Sequence, residues 1–269
     1  MATDARFLEH ALAVAHAAAD AAEVIIRARY QASDFSVDAK ADATPVTEAD
    51  REAELAIKDV LRAAFPDHAF FGEEFGREGD SEFLWLIDPI DGTKSFVRGY
   101  PMFSTQIALM QGGRLVLGVS AAGEYGERAW ASLGAGAFLR SSRHAKRPLR
   151  VSDTSDFGPM AAISTGNLKS MARQATRWQA LGDLVGRVGR IRGYGDFLHY
   201  HLLAQGSIDL VIESDLNILD IAALTVIVGE AGGVFTTLEG AGIGLGATSA
   251  LAGTPALHRQ ALTLFNVRP

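Results

Sequence analysis

One short segment constrains this chain more than any other. In Trp85-Leu86-Ile87-Asp88-Pro89-Ile90-Asp91-Gly92-Thr93, an apolar run that begins at Phe83 reads as a buried strand and then delivers two carboxylates three residues apart. Pro89 has no N–H to give to a sheet, so regular pairing is expected to stop at Asp88-Pro89, leaving both acids free to turn towards one point beyond the strand end. That is the outline of a site for a hard cation. Gly92 lets the backbone approach a ligand closely, and if a helix or turn begins at Thr93 its free N–H groups would face an anion. Metal and phosphate would then share one place. The competing explanation, a strand followed by an Asx turn, accounts for Asp91-Gly92 but gives no reason for Asp88-Pro89.

Composition narrows the chemistry further. The 269 residues include no cysteine, which removes disulfides, thiolate nucleophiles, iron–sulfur clusters and cysteine-based zinc sites together. Any metal must be held by oxygen or imidazole. With 25 basic and 32 acidic side chains the net charge is −7, which argues against a nucleic-acid partner because backbone affinity rests on clustered Lys and Arg. A small anionic substrate would need a local positive agent. The mean hydropathy of +0.11 is that of a soluble globular protein, and no apolar run approaches the roughly 20 residues of a membrane span. No membrane association is expected. The opening MATDARFLEH lacks the basic and apolar regions of a secretory signal, so the expected location is the cytoplasm.

The rest of the chain divides into two textures. Phe7 to Tyr30 carries Leu8, Leu12, Ala15, Ala19, Ala22 and Ile26 at helical spacing, and a second helix is expected from Thr47 through Ala53, Ile57 and Leu61 to before Pro66. Ser33 to Pro45 reads as a loop or hairpin. Strands follow: Thr105 to Met110 and Leu115 to Ala121 flank Gln111-Gly112-Gly113-Arg114, and Ala129 to Leu133 and Ala137 to Leu139 flank Gly134-Ala135-Gly136. This half predicts two helices and a largely antiparallel sheet. The basic stretch Ser141 to Arg150 reads as the linker between an N-terminal half, 1–145, and a C-terminal half, 146–269. In the latter, strands near Ala161 to Thr165, Val188 to Ile191 and Ile208 to Ile212 alternate with helices at Ser170 to Gly182, Phe197 to Gln205 and Ile218 to Ala231, which points to an α/β layer. Gly240 to Gly246 reads as a loop.

Further acids are weaker signals one by one. Glu73 in Phe70-Phe71-Gly72-Glu73-Glu74 follows an apolar pair, Asp50 falls one turn after Thr47, and Asp220 opens an otherwise apolar helix. Each has an ordinary explanation as a solvated loop, a capping residue or a helix-dipole partner.

Together, the order T-x-x-D at Asp50, G-E-E at Glu73, D-P-I-D-G-T, and Asp220 ahead of an apolar helix ending E-A-G-G at Glu230 to Gly233 resembles the inositol monophosphatase superfamily of magnesium-dependent phosphatases. The resemblance covers almost the whole chain. It implies a layered αβαβα fold with the site between the halves, a homodimer, and up to three Mg²⁺ ions. By position, Glu73, Asp88, Asp91, Asp220 and the carbonyl of Ile90 look like the metal ligands. Thr93, hydrogen-bonded to Asp50, would orient the attacking water with Glu73, and the backbone N–H groups of Gly92 and Thr93 would hold the phosphate. The oxygen-only set suits Mg²⁺. One departure is Leu219, where members usually carry Trp or Tyr before the last ligand, and a packing change is expected there.

Asp91 to Pro101, Gly195-Asp196 and Glu213-Ser214-Asp215-Leu216-Asn217 look closest to the histidinol-phosphate phosphatase branch, which implies a role in histidine biosynthesis. Acids at Asp196, Glu213 and Asp215 would suit the amine and imidazole of such a substrate, unless Asp196 only caps a helix and Asp215 is a turn residue. His199 and His201 read as packing or surface residues. A phosphatase of inositol, sugar or nucleotide phosphates, and a non-catalytic phosphate-binding protein, remain as alternatives.

Overall fold

The computed structural model describes residues 4–32, 37–39 and 45–266. The chain opens with α1 (Ala5–Ala32), whose alanine stripe of Ala11, Ala15, Ala18, Ala19 and Ala22 lets it press closely on its neighbours. β1 (Val37–Ala39) and β2 (Pro45–Thr47) pair antiparallel where a loop or hairpin is expected, the residues between them lying outside those described. α2 (Glu48–Ala64) starts on a capping box between Thr47 and Asp50. β3 (Ala69–Gly72), β4 (Gly76–Glu78), β5 (Phe83–Asp91), the short α3 (Thr93–Val97), β6 (Ser104–Gln111), β7 (Arg114–Ala122), β8 (Glu127–Ser132), β9 (Gly136–Ser141) and β10 (Arg147–Pro148) follow. Their strands form one sheet in the order β10-β9-β8-β7-β6-β5-β3-β4, antiparallel except for the β3–β5 pair.

The second half contributes β11 (Ala162–Thr165), α4 (Lys169–Ala172), α5 (Ala175–Val185), β12 (Arg190–Arg192), α6 (Asp196–Ala204), β13 (Leu210–Ser214), α7 (Ile218–Glu230), β14 (Val234–Thr236), β15 (Ser249–Gly253) and α8 (Pro255–Phe265). Its sheet is mixed, in the order β12-β11-β13-β15-β14. The helix expected over Ser170 to Gly182 is two helices, because Gln174 takes an extended conformation between them. The pieces at β3, β4, β14 and α8 carry no prediction from the sequence. The basic linker is tied down: Lys146 lies 4.0 Å over the Phe138 ring and Arg147 bonds Gln205.

The layers follow from which face each residue occupies. Along β5, Trp85 and Ile87 pack with α1 and α2, while Leu84 and Leu86 face the opposite way, towards Ile218, Leu219, Ala222 and Ala223 of α7. Both faces of this sheet are therefore buried, which is why its central strand is continuously apolar. Helices α6 and α7 lie between the two sheets, and α5 and α8 cover the far side of the second. This is an α/β fold of five layers, αβαβα, with eight helices among the described residues. α7 is apolar on every side because it has a sheet on each. The approach is close enough that a Cβ added at Gly118 on β7 would lie 2.4 Å from the Ala223 carbonyl oxygen. At its other end, Glu230 of the E-A-G-G motif accepts the N–H groups of Gly134 and Gly136, both at 2.9 Å, clasping the β8–β9 turn. Leu219 sits in the cluster with Leu84, Leu86, Ala108 and Met110 as an ordinary core residue.

Candidate active site

Regular pairing breaks off after Asp88, as Pro89 predicts, but the strand does not end there: a partner is regained at Asp91. β5 runs through Pro89 to Asp91, with a register shift against β6 between Asp88 and Asp91. Such an irregularity tolerates a proline and re-aims the side chains around it, and the Pro89 carbonyl is held by the Thr105 hydroxyl at 2.8 Å. On the other side, Glu73 extends the β3 pairing by donating its N–H to the Ile87 carbonyl at 3.1 Å, which sets it beside Asp88. A helix does begin at Thr93, after Gly92 in a left-handed conformation (φ 92°). A Cβ there would meet the Met102 carbonyl at 2.6 Å, so only glycine serves.

The layered fold brings the last acid across the chain. One carboxylate oxygen from each of Asp88, Asp91 and Asp220 lies within 4.8 Å of the other two. Asp220 is held as the third residue of α7, accepting the Asn217 N–H at 2.8 Å and its side-chain amide at 3.0 Å. Capping and convergence therefore coexist in one residue. Asp91 accepts weakly from Ser104 and Gln106, each at 3.4 Å. Asp88 is 2% exposed, and its Oδ1 has no hydrogen-bond partner among the described residues. Burial, then Glu73, Asp91 and Asp220, push the Asp88 carboxyl well above its usual range. Burial, then Asp196, Asp220 and Glu213, do the same to Asp91. Burial first, with Glu73, Glu213 and Asp196 adding, pushes Asp220 up to about 7, against the pull of the Asn217 N–H. Carboxylates so placed repel one another, and a cation among them would remove the cost. The bare Asp88 oxygen and the oxygen-only donors fit a hard divalent ion.

Thr93 donates its hydroxyl to the Ile90 carbonyl at 3.0 Å and to Asp50 at 3.4 Å. Asp50 is itself buried and accepts from the Thr47 N–H at 2.7 Å and hydroxyl at 2.6 Å. The predicted acids thus stand in one region: Asp50 on α2, Glu73 after β3, Asp88 and Asp91 on β5, and Asp220 on α7.

Beside them opens a cavity lined by Asp91, Asp220, Asn167, Asp196, Tyr200 and Glu213. Glu213, on β13, accepts from the Tyr200 hydroxyl at 2.9 Å and the Asn167 N–H at 3.2 Å, and its Oε2 is 3.2 Å from His199 Nε2. Burial pushes its carboxyl up, but His199 and these donors outweigh that and hold it below the usual range. Asp196 opens α6 with a positive φ of 43°. It makes no capping bond, since Gly195 is the N-cap, and burial with the Glu213 charge pushes it up to about 6. Asp215 is an exposed turn residue accepting the Ser170 N–H at 2.9 Å. His199 and His201 are fully buried, bonded to Ser164 and Ser120. Sequence reasoning passed over Asn167, Tyr200 and Gln106, whose neighbours are distant in the chain. It also passed over Glu54, which its i+4 spacing from Asp50 could have flagged.

A layered αβαβα fold with buried carboxylates gathered where the end of β5 meets the start of α7 defines a class of hydrolase, and the comparisons agree. The inositol monophosphatase family model matches residues 8–267. A histidinol-phosphatase of Mycobacterium tuberculosis (strain ATCC 25618 / H37Rv) is 40% identical over 95% of this chain and 97% of its own length. A histidinol-phosphatase of Streptomyces coelicolor (strain ATCC BAA-471 / A3(2) / M145) is 41% identical over 96% and 97%. The crystal structure of the extragenic suppressor protein suhB from Bartonella henselae superposes with a TM-score of 0.84 at 31% identity, covering 94% of this chain and 97% of that one. The chain belongs to the inositol monophosphatase family and is a phosphoric monoester hydrolase. No helix among the described residues is long and apolar enough to cross a membrane.

Proposed function

We propose that this chain is a Mg²⁺-dependent histidinol-phosphatase. The observation that carries the reading is that Asp91 and Asp220 of the carboxylate cluster line one small cavity together with Asp196 and Glu213. One end suits a metal-bound phosphate, and the other suits a cationic amine or imidazole. Similarity to the two histidinol-phosphatases supports the same substrate.

In this reading the halves 1–145 and 146–269 both contribute. Glu73, Asp88, Asp91, Asp220 and the Ile90 carbonyl hold up to three Mg²⁺ ions. Bound Mg²⁺ supplies positive charge to the phosphoryl oxygens and acidifies water. The chain's own groups do the rest. The Thr93 proton is committed to Ile90 and Asp50, so its oxygen is left to accept a hydrogen bond from the attacking water. Glu73 orients the same water and receives a proton from it. The backbone N–H groups of Gly92 and Thr93 hold the phosphate at the start of α3. Water adds to phosphorus as the P–O ester bond breaks, the leaving oxygen takes a proton from solvent and Glu73 returns its proton to solvent, giving the alcohol and inorganic phosphate. Asp196, unbonded as a cap, faces the substrate cation, with Glu213 behind it. The reading carries with it a cytoplasmic homodimer acting in histidine biosynthesis, as the family resemblance implies.

The deciding experiment is phosphate release from a panel containing histidinol phosphate, inositol monophosphate, a sugar phosphate and a nucleotide 3′-phosphate, in Mg²⁺ and in EDTA. Highest kcat/KM on histidinol phosphate, lost in EDTA, is expected. Faster turnover of another ester would reject the substrate, and binding without turnover would indicate a phosphate-binding protein.

A further inference from the structure

Glu54 lies one helical turn beyond Asp50 on α2 and is fully buried, an expensive place for a carboxylate. Its Oε2 accepts the Glu74 N–H at 2.7 Å and its Oε1 the Phe75 N–H at 3.3 Å, the two amides that follow Glu73. Lys58, 1% exposed, pairs with Glu54 at 2.7 Å and with Glu78 on β4 at 2.7 Å, and its ammonium lies 5.1 Å from the Phe75 ring centre. The turn folds onto the carboxylate so tightly that a Cβ at Gly72 would fall 1.8 Å from Glu54 Oε1. Both oxygens are thus spent on the backbone and on Lys58. Glu54 is turned to the chain rather than to the carboxylate cluster.

The backbone of Glu73 is consequently gripped from two sides. Its own N–H reaches Ile87 on the strand that carries Asp88, and the next two N–H groups reach α2, the helix that carries Asp50. We infer that Glu54 is a positioning residue which, neutralised by Lys58, sets the Glu73 turn in register with Asp88 and Asp50. The inference rests on the role proposed above for Glu73. The device amounts to one helix face aligning two parts of the site through residues i and i+4.

The test uses the intact chain and Glu54→Gln, which keeps the shape but weakens the grip, with Mg²⁺ titrated against both phosphatase activity and melting temperature. Outer partners of metal ligands typically contribute about 10- to 100-fold in metal affinity or activity, so both Mg²⁺ midpoints should rise by that factor. Because Gln leaves the Lys58 charge less compensated, the double variant Glu54→Gln/Lys58→Met is titrated as well, and it decides the matter if the single variant does not fold. Leu61→Val, a core change on the same helix, should lower the metal-free melting temperature without moving the midpoints. Midpoints within about twofold of wild type in folded Glu54→Gln or the double variant, or a shift equalled by Leu61→Val, would overturn the inference alone. A wild type with no Mg²⁺ response in either readout would remove the proposed function, and this inference with it.

Discussion

The Thr93 hydroxyl bridges to Asp50 at 3.4 Å across 43 residues of sequence, while lying 3.0 Å from the Ile90 carbonyl. This joins the first turn of α2 to the first turn of α3. Its oxygen is the group whose loss should cost turnover without costing the fold, since Asp50 keeps its bonds to Thr47. Thr93→Ala should lower kcat by at least about 100-fold, the low end for a positioned proton-transfer group, and Thr93→Ser should recover most of it. Steady-state kinetics with a melt in EDTA check both; near-normal turnover in the alanine variant would mean the water is held elsewhere.

Metal-free stability should fall as pH rises above about 6.5. Burial and neighbouring charge raise Asp88 and Asp91, push Asp220 to about 7 and push Asp196 to about 6. From about pH 4, the ordinary carboxylate range, to about pH 7, the folded chain holds protons that the unfolded chain has released. Their contribution is complete at the acid end and lost as pH climbs through the folded-state values. Mg²⁺ should replace those protons and flatten the slope, adding about 2.7 kcal/mol at 100 times its dissociation constant. Burial lowers the pKa of His16, His68 and His258, which works in the opposite direction up to about pH 6.5. Scanning fluorimetry from about pH 6.5 to 8 in EDTA and in Mg²⁺ therefore measures the carboxylate effect, and a metal-free Tm rising over that window would contradict the convergence of acids.

Asp196 and Glu213 should separate under mutation. Asp196 is spared from capping, so Asp196→Asn should cost roughly 10- to 150-fold in kcat/KM on histidinol phosphate, the loss of a charge-assisted bond of about 1.5–3 kcal/mol, and much less on inositol monophosphate. Glu213 is tied to Tyr200 and Asn167 and stands beside His199, so Glu213→Gln should also lower the melting temperature. Equal losses on both esters in Asp196→Asn would show that it serves the metal cluster instead.

Gly118→Ala should weaken metal binding from outside the site. The added methyl would press on the Ala223 carbonyl of α7, 2.4 Å away, and overpacking of this kind costs about 1–3 kcal/mol. Any relief by movement of α7 carries Asp220 with it. Urea unfolding and a Mg²⁺ titration should both respond; unchanged metal affinity with lowered stability would mean α7 absorbs the strain away from its first turn.

Much was legible from the sequence because the signals are local. The β6–β7 and β8–β9 hairpins follow from glycine turns between apolar runs, α2 from the Thr47 box, and α7 from its apolar run after Asn217. Motif order marked Asp50, Glu73, Asp88, Asp91 and Asp220 as one set. Pro89 does interrupt regular pairing, but the return of β5 to its neighbour at Asp91 and the break at Gln174 are not legible, because a neighbouring strand and the packing of α5, rather than residue type, decide them.

Only the tertiary structure decided how the acids stand to one another. Asp220 reaches Asp88 and Asp91 because α7 is wedged between two sheets and clasped through Glu230 to the β8–β9 turn, a docking that depends on complementary faces far apart in sequence. The same placement separates Asp196, which faces the cavity, from Asp215, which closes a surface turn. Residue identity supplies a carboxyl group in every case. Its burial, its bonding partners and the charges around it determine whether that group caps a helix, grips a turn or waits for a cation, and those are properties of the assembled layers.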